Sequence, residues 1–71
     1  MDNEALIADL VAWVADAPRP YDEVMAAWRT SCPRLTIWED AVDHGLVHRH
    51  AGEVAVTDAG RRFLERMGRA G

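Results

Sequence analysis

The chain has 71 residues, which is one domain's worth and near the lower size at which a core can hold without staples. Its twelve acids stand against eight arginines and no lysine, a formal net charge of −4, and one cysteine, Cys32, excludes an internal disulfide. No apolar run approaches the ~18 residues of a membrane span, and the start MDNEAL lacks the basic opening of a signal peptide, so the expectation is a soluble, cytoplasmic protein. The charge is uneven. Residues 1–45 hold nine acids and three arginines, while 46–71 hold three acids and five arginines, so −6 is followed by +2. A protein that sits on a phosphate backbone carries a basic footprint, and only the last third of this chain has one.

Asp2 or Asn3 can cap a first helix, with Glu4 favourably placed in its first turn. Leu6, Leu10, Trp13 and Ala17 share a face, which Ile7, Val11 and Val14 widen to roughly 160° of the helical wheel. So wide a face is either wrapped by the rest of a small core or has area left for a homodimer contact. Pro18-Arg19-Pro20 ends the helix, because neither proline donates a backbone N–H and each biases its predecessor toward extended geometry. Tyr21, Val24, Met25 and Trp28 then repeat at helical spacing, with Asp22 and Glu23 in the first turn. Arg29 to Pro33 reads as a short turn, which gives a helix-turn-helix layout.

A third helix is expected over 33–45. Thr30 or Ser31 can cap it, Pro33 suits its first turn, and Gly45 supplies a left-handed closing residue. Counting 100° per residue, Leu35, Trp38, Val42 and Leu46 form its buried stripe, while Pro33, Ile37, Asp40 and His44 face outward. The period then changes. Residues 46–50 and 53–56 read as two strands around Ala51-Gly52, a hairpin. Thr57 caps a last helix beginning at Asp58, with Phe63, Leu64 and Met67 on its apolar side. Residues 68–71 are expected to fray, and nothing divides 1–71 into more than one domain.

Three helices, a two-stranded hairpin and a closing helix follow the order of a winged helix-turn-helix, an α+β fold. The run Val54-Ala55-Val56-Thr57-Asp58-Ala59-Gly60 resembles the strand, Thr, two residues, Gly, helix finish of bacterial winged-helix regulators, the multiple-antibiotic-resistance and phenolic-acid repressor families among them. Asp43-His44-Gly45-Leu46-Val47 resembles their step from recognition helix to wing. The run Trp28 to Ala41 is also similar to that of short bacterial proteins to which no activity attaches.

The resemblance implies a transcriptional regulator that binds double-stranded DNA, with 33–45 in the major groove and 48–53 as a wing. By position the base-reading candidates are Arg34, Thr36, Ile37, Asp40 and His44, and the wing candidates are His48, Arg49 and His50. Arg61 and Arg62 would neutralise phosphates. The sequence departs from the pattern in the acids of the third helix, Glu39, Asp40 and Asp43, which repel phosphates and can read only an exposed amino group. The alternative is a protein-interaction module that uses this acidic face and leaves DNA alone. The two diverge on one feature: DNA requires Arg34, Arg49, Arg61 and Arg62 to gather around the outward face, and a protein partner requires acids there and scattered arginines.

Other chemistries are weaker. Cys32, between Arg29 and Arg34, has the surroundings of a redox-sensitive thiol or of a small buried hydrophobe. His48 and His50 share a strand face near His44, which suggests a three-histidine zinc site less strongly than a solvated strand. Trp13, Trp28 and Trp38, one on each of the first three helices, are expected to meet in a shared core, with a ligand cage or stacking platform as the alternative. No nucleophile elbow or glycine-rich phosphate loop is present, so neither an enzyme nor a cofactor is expected.

Overall fold

The structure, a computed structural model, describes residues 3–28 and 37–68. The elements run α1 (Glu4–Asp16), β1 (Arg19–Pro20), α2 (Tyr21–Trp28), α3 (Ile37–Asp43), β2 (Val47–His50), β3 (Glu53–Val56) and α4 (Asp58–Arg66). Four helices thus accompany a three-stranded antiparallel sheet of order β1-β3-β2. The third strand corrects the expected two-stranded sheet. The proline pair that stops α1 also holds Arg19 and Pro20 extended, and they pair with Val54 and Glu53. Tyr21 continues the ladder, donating its N–H to the Gly52 carbonyl at 2.8 Å.

The core is built on α1, which packs against α3, α4 and β3. Its buried residues are Ile7, Ala8, Leu10, Val11 and Val14, an i, i+3, i+4, i+7 arc lying about one residue round from the expected one. Leu6 is left 38% exposed and Ala17 is exposed. Asn3 stands at the N-cap but its side chain makes no capping bond; its carbonyl takes the Ile7 N–H at 2.9 Å. Val24, Ile37, Ala41, Leu46, Val47, Val54, Phe63 and Leu64 complete the core among the described residues. The tryptophans line its rim in two pairs instead of one trio: Trp13 with Trp28, centroids 6.4 Å apart, and Trp38 edge-on to Tyr21 at 5.6 Å.

The two stretches that carried the family resemblance meet each other. Gly45, at φ +69°, closes α3 with two reverse bonds, Gly45 N–H to the Val42 carbonyl and Leu46 N–H to the Ala41 carbonyl, both 2.9 Å. The Thr57 hydroxyl donates to the Gly45 carbonyl and accepts from the Gly60 N–H at 3.0 Å, so one side chain ties the end of α3 to the start of α4. The Thr57 N–H adds a bond to the Leu46 carbonyl at 3.1 Å. At position 60 a Cβ would lie 2.1 Å from that same Leu46 oxygen and 2.7 Å from Val56 Cγ2, so only glycine fits. Thr and Gly at this spacing are therefore a docking device for α4.

Three stability measurements follow. Gly60→Ala is expected to cost on the order of 3 kcal/mol, since backbone must move to admit the methyl, and Thr57→Ala about 1–2 kcal/mol, with Thr57→Ser recovering most of it; denaturant melts that leave Gly60→Ala unchanged would contradict the close approach. The hairpin tip carries Ala51 at φ +52° beside Gly52 at +77°, the sign pattern of a type I′ turn. Alanine is disfavoured there, so Ala51→Asn is expected to raise stability by about 0.5–1 kcal/mol in the same melts.

Candidate functional site

Helix α3 differs in phase from the sequence reading. Ile37, expected to face outward and to touch bases, is 2% exposed and belongs to the core with Ala41, while Val42, expected in the buried stripe, is 41% exposed. Trp38 is half-buried, and Leu46 is buried beyond the end of the helix. Counting large apolar residues favoured the Trp38 and Val42 side because alanine weighs little in such a count. In the folded chain α1 packs directly on α3, where a small Ala41 fits, and Trp38 is accommodated at the rim by Tyr21. Residues 33–36, including Arg34 and Thr36, and also Cys32, lie outside the described residues.

The exposed side of α3 is thus Glu39, Val42 and Asp43, one helical turn with an apolar residue between two acids, and His44 exposed just beyond. Neither Glu39 nor Asp43 forms an ion pair with a described residue. Asp40 is only partly exposed and makes an interaction of its own, so it is not a freely presented carboxylate.

No described arginine forms an ion pair with Glu39 or Asp43. Arg49 lies on β2 with its guanidinium over the Tyr21 ring, 3.8 Å from the centroid. Arg19, which the sequence reading passed over, sits over Trp13 at 4.4 Å and reaches Glu23 at 3.3 Å and Asp16 at 3.9 Å, clamping the end of α1 to the start of α2. Arg61 and Arg62 are exposed on α4, the helix packed against α1. His48 and His50 are exposed on β2 and, by strand alternation, share the sheet face turned away from Val47. Their cross-strand neighbours are Ala55 and Glu53. Among the described residues no three His, Cys, Asp or Glu side chains gather as a metal site, and no helix is long and apolar enough to cross a membrane.

Tyr21 is the residue the sequence reading undervalued. Placed at one apolar position of a short helix, it is bonded by its backbone to the hairpin tip, covered by Arg49 and met edge-on by Trp38. The proline rules marked 18–20 as extended, and that was the available signal; its pairing with β3 is non-local. Compared with family models, curated proteins and solved structures, the chain matches none.

The phase of α3 is directly measurable. Ile37→Ala is expected to cost about 2–4 kcal/mol as a core truncation, whereas Val42→Ala is expected to stay within about 1 kcal/mol; equal effects in denaturant melts would contradict the burial of Ile37.

Proposed function

We propose that this chain is a protein-docking module on a winged-helix-type scaffold, with the exposed side of α3 as the contact surface for a cationic segment of a partner. The observation that carries the reading is the turn Glu39, Val42, Asp43 with no described guanidinium paired to it. Carboxylates at this place repel a phosphate backbone and attract lysine or arginine, and Val42 adds apolar area between them. The hairpin points the same way. Arg49 rests on Tyr21, and the tip is bonded to the first residue of α2, so it does not stand off the body as a separate basic arm. The scaffold reading rests on the order α1-β1-α2-α3-β2-β3-α4, the two-residue hairpin loop and the Thr57 to Gly60 junction.

A DNA-binding regulator is the second reading, favoured by that same element order and by the exposure of His48 and His50 on the hairpin. There Arg34 and Thr36 would read bases and Arg49, Arg61 and Arg62 would meet phosphates. Fluorescence anisotropy with a random-sequence duplex, at low and then moderate salt, separates the two. The docking reading expects a Kd weaker than about 100 µM even at low salt. Micromolar binding that falls steeply as salt rises would overturn it in favour of DNA, and Arg49→Ala would then flatten the salt slope.

A further inference from the structure

We propose that the free edge of β2 accepts an extended, carboxylate-bearing segment of a partner protein as a fourth strand, with Arg49 as its side-chain contact. Among the described residues β3 is the central strand, so β1 and β2 are both edges. β1 is two residues long, and its Pro20 has no N–H to offer. β2 runs four residues without proline.

The hairpin register decides which β2 groups are spare. A two-residue loop makes His50 and Glu53 a hydrogen-bonded pair, so His48 with Ala55 is the next, and the Thr57 N–H to Leu46 carbonyl bond continues the series. Val47 and Arg49 alternate with these, and their N–H and C=O groups point away from β3. They meet no described residue. One segment can therefore pair with two residues through both donors and acceptors.

The same edge selects for charge. The Arg49 guanidinium carbon sits over the Tyr21 ring, 3.8 Å from its centroid; the residue is exposed and forms no ion pair with a described residue. The ring contact restricts its torsions, and its N–H groups, paired with no described carboxylate, can take one from a partner. A residue placed opposite Arg49 on an added strand projects to the same sheet face, within cross-strand reach, and an acid there makes an opposite-charge pair. The template is also held still: Tyr21 bonds to Gly52, and Arg19 and Pro20 back β3 from the other side. Little ordering remains to be done on binding. This surface is carried by β2 and Arg49 and does not use Glu39, Val42 or Asp43, so its test does not depend on them.

The probe is a short blocked peptide alternating glutamate with valine, and the control has lysine in place of glutamate. Hydrogen exchange at the Val47 and Arg49 amides, followed by NMR, is expected to slow about tenfold or more with the glutamate peptide and not with the lysine peptide. Arg49→Pro removes an edge N–H that the hairpin does not use and is expected to abolish the slowing at Val47. Arg49→Gln keeps the strand and is expected to weaken the peptide Kd about fivefold. No slowing with the glutamate peptide, equal slowing with both peptides, or an unchanged Kd in Arg49→Gln would overturn the proposal. So would slowing that grows with protein concentration alone, which would give the edge to a second copy of the chain.

Discussion

The Thr57 hydroxyl, shared between the glycine exit of α3 and the first turn of α4, is the interaction on which the arrangement of this small domain depends. Helix ends leave backbone donors at one terminus and acceptors at the other without partners. Here one side chain answers both needs, accepting from Gly60 and donating to Gly45, and Gly60 lets the first turn of α4 lie against the Leu46 carbonyl. The direction of α4 is set there, and with it the delivery of Phe63 and Leu64 to α1. The exit of α3 is set by the same contacts, since Leu46 is buried and its N–H is bound back to Ala41.

A second network fixes the charges. The domain has few large buried side chains, and its rim is closed by aromatic rings capped with arginines: Arg19 on Trp13 and Arg49 on Tyr21. A guanidinium on a ring keeps its charge and in-plane donors but loses its reach. The two described arginines of the sheet therefore serve the body of the protein first, and neither pairs with Glu39 or Asp43 beside Val42. A scaffold does not choose its ligand; the surface residues do.

Tyr21 joins the two networks. It begins α2, continues the β1 ladder to the hairpin tip, and places its ring between Arg49 and Trp38. The hairpin, α2 and α3 are consequently fixed relative to one another by one residue's backbone and ring. An edge strand held in this way presents its spare hydrogen-bonding groups in a constant geometry.

The sequence by itself determined what local rules govern. The proline stop after α1, the apolar spacing of α2, the glycine exit of α3, the two-residue hairpin and the Thr57 cap are each set by a few neighbouring residues, and all are found where those residues stand. Tertiary structure decided what depends on partners distant in the chain. Arg19 and Pro20 became a strand because β3 offered them a free edge. Ile37 went inward and Val42 outward because α1, and not a count of apolar residues, sets which side of α3 is covered. Arg49 was legible as an exposed base on a strand, but its place over Tyr21 required two elements to meet. A helical wheel gives spacing within a helix, while its zero of rotation comes from whatever packs against it, and only the folded chain supplies that.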